Sequence, residues 1–222
     1  MGYDFRFDVV FDQWPWILKG LAVTLAISSI SMALALVVGL AVALLTSAPV
    51  RALRVLAHLY VQVFRGVPLL VFLIWMYYGV SMVVGINFRP VVAGVLCFTI
   101  QYGSWLSEIF RSGIQAVPRG QNEAAWSLGL SRAQAFLFVV LPQAVRIVLP
   151  SIGNMFVGLV KDSSLVSVIG VFELMRQSQL AVSLTFRPFE FYTATAAVYV
   201  LITFMIARAL SRLERRLHIP GF

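Results

Sequence analysis

The feature that most constrains this chain is a run of 26 residues, Leu21–Thr46, which contains no charged side chain. A helix of about 20 apolar residues spans the hydrocarbon core of a bilayer, so this run is long enough to cross a membrane with some tilt. Hydrophobic residues make up 60% of the sequence and charged residues 12%. This composition leaves no room for a large soluble domain beside the spans, and it predicts one integral membrane domain covering residues 1–222.

Apolar runs alternate with short polar segments along the chain and predict an all-α membrane fold with about five transmembrane helices. The predicted spans are residues 21–46, 59–84, 90–110, 144–160 and 191–209. Residues 47–58, with Arg51 and Arg54, are expected to form a short loop between the first two spans. A polar segment, residues 120–136, separates the third span from the fourth. Gly129 interrupts the helix formers of this segment, and Ser131 is a suitable N-cap for a second helix. We therefore expect a helix–turn–helix outside the membrane, with Pro142 marking the start of the next apolar segment.

The basic residues of this chain stand at the ends of apolar runs. They give a net charge of +8, but they form no patch with interleaved aromatics, which disfavours nucleic-acid binding. Nine Lys and Arg fall on the side of the helix–turn–helix and the C-terminal tail, against four on the other side. The positive-inside rule then predicts an outside N-terminus, with the C-terminus and the helix–turn–helix in the cytoplasm.

Four polar side chains share one face of the third span, since they stand at i, i+3, i+7 and i+10. They are Gln101, Ser104, Glu108 and Arg111. Charged residues within a span normally face the protein interior and pair with one another. Glu108 and Arg111 are therefore either part of a polar pathway lining or a structural pair that braces the adjacent polar segment, and we favour the pair.

The second span is interrupted by Arg65-Gly66-Val67-Pro68. Pro68 cannot donate a backbone hydrogen bond and frees a carbonyl one turn earlier. Broken helices expose backbone dipoles to polar ligands, and transporters use them as binding sites. The alternative is a structural kink, with Arg65 extending to the membrane interface.

The polar segment between the third and fourth spans resembles the EAA loop of ABC importer permeases. The matching residues are Glu123, Ala124, Ala125, Gly129, Leu141 and Pro142, with Val139 where isoleucine is usual. The stretches Phe64–Leu70, Glu108–Gln121, Leu141–Ala144 and Lys161–Leu165 resemble the permease subunits of the polar amino acid uptake family, the histidine- and glutamate-type importers. The resemblance runs from about Trp16 to Leu213.

This resemblance implies the permease subunit of an ATP-driven importer that moves a polar amino acid across the bacterial inner membrane. The EAA loop would dock an ABC ATP-binding subunit. The other implied partners are a second permease, identical or homologous, and a periplasmic amino-acid-binding protein. The chain itself would be non-catalytic and bind no cofactor, since it contains no GxxxxGK[ST] loop for ATP. His58 and His218 are the only histidines, and no metal cluster is expected.

The segment Lys161-Asp162-Ser163-Ser164, which ends the fourth span, is the second candidate for the substrate pathway. Asp162 would hold the ammonium of an amino acid, and Arg65 or the hydroxyls its carboxylate. The alternative is a solvated loop end. The family often has Thr where Val67 stands and Gln where Phe72 stands, so no substrate hydrogen bond carries over to those two positions.

Two other functions are compatible with parts of the sequence. An ion-driven secondary transporter would need buried carboxylates along its spans, for which only Glu108 and Asp162 qualify, and an internal repeat, which is not visible. A membrane scaffold or signalling subunit would use the polar segment to dock a partner without transport.

Overall fold

The computed structural model of the chain describes residues 3–217, and His218 lies outside this range. Within it the chain is helical, with two π-helical turns, Trp75–Val80 and Phe136–Val140, and one 3-10 helix, Ser163–Ile169. The α-helices are α1 (Asp8–Asp12), α2 (Trp14–Leu45), α3 (Arg51–Gly66), α4 (Leu69–Ile74), α5 (Ser81–Val84), α6 (Pro90–Ala116), α7 (Arg119–Ser127), α8 (Arg132–Ala135), α9 (Leu141–Asp162), α10 (Leu174–Thr185) and α11 (Pro188–Leu217).

Three helical runs in the described residues are long and apolar enough to cross a membrane: Trp14–Leu45, Arg132–Ile169 and Pro188–Arg215. A fourth crossing results if α3 and the run Leu69–Val84 are counted as one broken span. α6 occupies the predicted third span and is 27 residues long, but it is not among these runs. Length and composition therefore support three or four crossings.

In the first third of the chain the helices differ in length from the predicted segments. α2 begins at Trp14, before the predicted span 21–46, because the aromatic residues before the uncharged run continue its helix. The polar loop expected between the first and second spans is largely helical, since α3 begins at Arg51. Here arginine, leucine and alanine, which are strong helix formers, outweigh the charge that suggested a loop.

The predicted fourth span, residues 144–160, lies within one longer helical run, Arg132–Ile169. Pro142 lies in the first turn of α9, as expected for the start of a segment, but the π-helical turn Phe136–Val140 precedes it directly and the helix is not interrupted. The wider hydrogen-bonding ring of a π-turn accommodates the missing proline N–H without ending the helix.

The described chain divides into two compact units. The first comprises the chain up to Ala33, Val67–Phe98 and Phe156–Ile206, and the second comprises Leu34–Gly66, Thr99–Met155 and the chain from Ala207. A buried apolar cluster in the first unit consists of Val10, Ile17, Leu174, Ala181 and Phe191. This cluster joins the amino ends of α2 and α11 to α10.

In the second unit, glycines allow long helices to approach closely. A Cβ atom at Gly39 of α2 would lie 2.8 Å from Leu106 Cβ of α6. A Cβ atom at Gly113 of α6 would overlap the Val148 side chain of α9. Small residues at such positions are typical of helix packing in membranes, where van der Waals contact provides much of the attraction. They fix α6 against α2 and α9.

Candidate functional site

The polar segment between α6 and α9 consists of a helix, a turn and a second helix. α7 ends at Ser127, and Gly129 adopts the left-handed conformation with φ +80°. The Gly129 N–H donates to Trp126 O at 2.9 Å, and the Leu130 N–H donates to Ala125 O at 3.1 Å. These bonds satisfy the last carbonyls of α7, and the positive φ explains why glycine stands here.

Ser131 is the N-cap of α8, as predicted. Its hydroxyl accepts a hydrogen bond from the Gln134 N–H at 3.3 Å, and the Gln134 side-chain oxygen accepts one from the Ser131 N–H at 2.9 Å. This reciprocal pair is a capping box. It fixes the point at which the chain leaves the turn and enters the long run towards α9.

The surface of α7 combines acidic, small and apolar side chains. Glu123 and Ala124 are exposed, whereas Ala125 is buried. Trp126 and Leu128, which follow, are also exposed. An exposed aromatic residue beside an exposed carboxylate, on a helix whose last carbonyls are satisfied by the turn, is a surface suited to contact with another protein.

The helix–turn–helix is fixed to the start of α9 by polar and apolar contacts. The Gln143 amide donates to Gln121 Oε1 at 3.2 Å and to Val139 O at 2.9 Å, so that it connects α7 with α9. Beneath these hydrogen bonds lies an apolar cluster of Val117, Val140 and Ala144, against which Ile114, Phe136 and Ile147 pack.

The residues that resemble the EAA loop therefore lie on two helices. Leu141 and Pro142 belong to the first turn of α9, whereas Glu123 belongs to α7.

Glu108 and Arg111 form a bidentate ion pair on α6. Arg111 Nη2 lies 2.7 Å from Glu108 Oε2, and Arg111 Nε donates to Glu108 Oε1 at 3.2 Å. Arg65 Nη1, at the end of α3, lies 3.8 Å from the same Oε2. One carboxylate therefore faces two guanidinium groups, and Arg65 is a partner of Glu108 as well as a candidate ligand for substrate.

The break between α3 and α4 lies at Gly66, Val67 and Pro68. Pro68 has an extended ψ of 134° and is the N-cap of α4, where its carbonyl accepts from the Phe72 N–H at 3.0 Å. Proline preceding the first helical residue explains why α3 cannot continue into α4.

The Lys161–Ser164 segment lies where α9 changes into the 3-10 helix. Lys161 is exposed, and Asp162 and Ser164 are half-buried. Ser163 is fully buried, and its hydroxyl donates to Val160 O at 2.8 Å. Three of these four side chains are therefore accessible, and the Ser163 donor is already used within the chain.

A fully buried carboxylate that the sequence analysis missed belongs to Glu173, the N-cap of α10. It accepts hydrogen bonds from the Arg176 N–H at 2.7 Å, the Met175 N–H at 2.8 Å, the Tyr199 hydroxyl at 3.0 Å and the Thr24 hydroxyl at 3.4 Å. Burial raises the pKa of Glu173, and the hydrogen bonds oppose this shift. The carboxylate connects α2, α10 and α11 within the first unit.

Glu190, in the first turn of α11, is the second buried carboxylate that was missed. It accepts from the Tyr3 hydroxyl at 2.6 Å and from the Arg6 N–H at 3.0 Å. The Phe189 ring packs edge-on against Phe5. The sequence signalled only the helix start, since a proline at 188 followed by an acid is typical of one, and it did not signal the burial of Glu190.

Among residues 3–217, no group of three or more His, Cys, Asp and Glu side chains is placed to hold a metal ion. His58 lies exposed on α3. That the chain binds no metal stays a prediction.

Comparison with known proteins gives one family. Residues 35–219 match the family described as binding-protein-dependent transport system inner membrane component. The chain is 36% identical over 214 residues to the probable amino-acid ABC transporter permease protein YckA of Bacillus subtilis, covering 96% of this chain and 94% of the relative. It is 34% identical over 216 residues to the glutamine transport system permease protein GlnP of Escherichia coli, covering 97% and 99%.

Solved structures share the fold. The crystal structure of an amino acid ABC transporter with histidines has a TM-score of 0.91 at 38% identity, covering 96% of this chain and 100% of that chain. An inward facing conformation of the MetNI methionine ABC transporter has a TM-score of 0.79 at 21% identity, covering 92% and 97%.

Proposed function

Because the chain belongs to the family of binding-protein-dependent transport system inner membrane components, we propose that it is the permease subunit of an ATP-driven importer of a polar amino acid. The family resemblance inferred from the sequence is confirmed. Relatives named as glutamine and amino-acid permeases support an amino acid as the substrate class. Their bacterial sources support the bacterial inner membrane as its location.

The observation that carries this proposal is the exposed, capped helix–turn–helix with Glu123 on its surface. A rigid element that projects polar and aromatic side chains between long apolar runs transmits movement between a soluble partner and the spans. In the proposed mechanism it docks in the ATP-binding subunit. Closure of that subunit on ATP shifts the spans to the state that accepts substrate, and hydrolysis returns them. The permease contributes different contacts in two states, not chemistry.

ATP is bound and hydrolysed by the partner in this proposal, because the sequence of the permease contains no P-loop. A second permease, identical or homologous, completes the pathway, and a periplasmic binding protein delivers the amino acid. α6 supplies the fifth crossing, in addition to the three apolar runs and the broken span. The N-terminus lies in the periplasm and the C-terminus in the cytoplasm, as the distribution of basic residues predicts.

Two segments are proposed to line the substrate pathway. Asp162 is the acceptor for the substrate ammonium, and the backbone freed at the break by Val67 and Pro68 offers polar groups to the substrate. Arg65 is available to a substrate carboxylate only in competition with Glu108, from which it lies 3.8 Å away. The Glu108–Arg111 pair braces α6 just before the docking element.

The first test is co-purification of the tagged chain in mild detergent from the cells that produce it. We expect an ATP-binding subunit to accompany the wild-type chain and to be lost in Glu123→Arg, because reversal of an exposed charge disrupts a complementary contact. Asp12→Arg is the matched control, since Asp12 is an exposed acid outside the helix–turn–helix. It should leave co-purification unchanged.

Isolation of the wild-type chain without any ATPase would contradict the importer and favour an ion-driven or scaffold function. Equal loss of the partner in Asp12→Arg would remove the specific role of Glu123. In reconstituted vesicles, a substrate-loaded binding protein should stimulate ATP hydrolysis. An ATPase that co-purifies but shows no such stimulation would identify a docking scaffold without transport.

A further inference from the structure

The exposed side chains of α3 form two rows of opposite character. The basic row consists of Arg51, Arg54 and His58, and the apolar row consists of Leu56, Leu59 and Val63, all of them exposed. Each row has the spacing i, i+3 and i+7, which keeps its members on one face. At about 3.6 residues per turn the two rows lie nearly opposite each other. α3 therefore presents a polar side and an apolar side outward at the same time.

Two contacts with α6 show in which direction α3 runs. The Tyr60 hydroxyl donates to Ile100 O at 2.6 Å, and Arg65 Nη1 lies 3.8 Å from Glu108 Oε2. The later residue of α3 thus meets the later residue of α6. If the two helices ran in opposite directions, Arg65 and Glu108 would be about 20 Å apart along their axes, which is beyond the reach of the two side chains. α3 is therefore not antiparallel to α6.

This direction is wrong for the first half of a membrane crossing. Consecutive crossings alternate in direction, so a helix that crosses the bilayer immediately before α6 must be antiparallel to α6. The apolar run Leu69–Val84 directly precedes α6, which begins at Pro90. The break at Pro68 is then the point where the chain enters its crossing, and α3 lies before that point.

We propose that α3 lies in the plane of the cytoplasmic membrane interface. Its apolar row contacts acyl chains, and its basic row faces the headgroups and water. A helix with opposite polar and apolar sides fits the boundary between hydrocarbon and water, where both sides are satisfied without turning the helix. Arginine is costly to place in hydrocarbon and is attracted to the anionic lipids of the cytoplasmic leaflet. The choice of leaflet rests on the orientation proposed above, whereas the in-plane position does not.

The test is the depth of spin labels on single cysteines in reconstituted vesicles. The full-length chain, with any subunit that co-purifies, carries Cys97→Ala, since Cys97 is the one cysteine of the sequence. Leu56→Cys, Leu59→Cys and Val63→Cys are labelled, and depth is measured from the accessibility of each label to oxygen and to a water-soluble nickel chelate. We expect the three depths to agree within about 3 Å, the rise of two residues. A label at His58→Cys should be accessible to the nickel chelate.

A pair on α2 is the matched control for a helix that crosses the bilayer. Ile30 and Val37 are exposed and are seven residues apart, like Leu56 and Val63. Labels at Ile30→Cys and Val37→Cys should differ in depth by about 10 Å, the rise of seven residues.

A depth difference between Leu56→Cys and Val63→Cys as large as that of the α2 pair would overturn the proposal, because α3 would then cross the bilayer. Labels on the apolar row that neither oxygen nor the nickel chelate reaches would also overturn it, because protein and not lipid would cover the row. Absence of an ATP-binding subunit would contradict the importer but leave these depths unchanged, so the two proposals fail separately.

Discussion

Glu123 and Glu173 are two carboxylates on short helices between long apolar runs, and their surroundings are opposite. Glu123 is exposed on α7, whereas Glu173 is fully buried and accepts four hydrogen bonds. An exposed carboxylate can be offered to a partner, because its removal leaves no donor unsatisfied within the chain. A buried, fully hydrogen-bonded carboxylate determines how its own helices pack. The residue type is the same, but Glu123 lies within α7 and Glu173 caps α10, and their burial separates the two roles.

The largest expected effect is that of Glu173→Ala. It leaves two backbone N–H groups, the Tyr199 hydroxyl and the Thr24 hydroxyl without their acceptor. Each unsatisfied buried donor costs roughly 1–3 kcal/mol before relaxation, so we expect a loss of about 3 kcal/mol in the free energy of unfolding. Thermal unfolding in detergent, followed by fluorescence-detected size exclusion, measures it. Glu123→Ala is the matched control and should unfold like wild type. Equal midpoints for the two variants would abolish the contrast between the carboxylates.

Gly129→Ala should disturb the docking element without affecting the rest of the fold. An alanine with φ +80° is strained by about 1–2 kcal/mol. We expect weaker co-purification of the ATP-binding subunit with a nearly unchanged unfolding midpoint. Gly120→Ala is the control, because Gly120 lies within α7 with no atom within 4 Å of its added Cβ and no positive φ. A midpoint lowered as far as in Glu173→Ala would show that the turn is part of the global core.

Ser131→Ala should have a smaller, local effect. Loss of the N-cap oxygen costs about 1 kcal/mol and removes the reciprocal bond to Gln134. Faster amide hydrogen exchange is expected in α8. The matched control is Ser127→Ala, which removes an exposed hydroxyl that bonds only to Glu123 O of the same helix. Equal exchange rates in both variants would mean that the capping box does not hold α8 in place.

The smallest expected effect is a pH dependence from Glu173. Its pKa is raised in the folded chain above the ordinary value of 4.5, so the folded state binds the proton more tightly than the unfolded state. The resulting stability is fully present below pH 4.5 and is lost as the pH rises through the folded pKa. The unfolding midpoint of wild type relative to Glu173→Gln should therefore fall with rising pH. A difference that increases with pH would show that the hydrogen bonds outweigh burial.

Much of the candidate docking element could be predicted from local sequence. Gly129 and Ser131 act through backbone conformation and bonds to residues three or four positions away, so the pattern of the chain contains the necessary information. The start of α3 and the length of the Arg132–Ile169 run could not be predicted in the same way. The charge at Arg51 indicated a loop, whereas α3 begins at that residue. Pro142 indicated the start of a separate segment, whereas the helix continues through the π-helical turn before it.

The sequence by itself determined the membrane class, the family, the broken helix at Pro68 and the capped helix–turn–helix, because each depends on apolar run length or on contacts between near neighbours. Only the tertiary structure showed that Glu173 and Glu190 are buried. Their partners Thr24 and Tyr3 lie 149 and 187 residues away along the chain. Burial of a carboxylate depends on which distant segments surround it, and a local pattern does not contain that information.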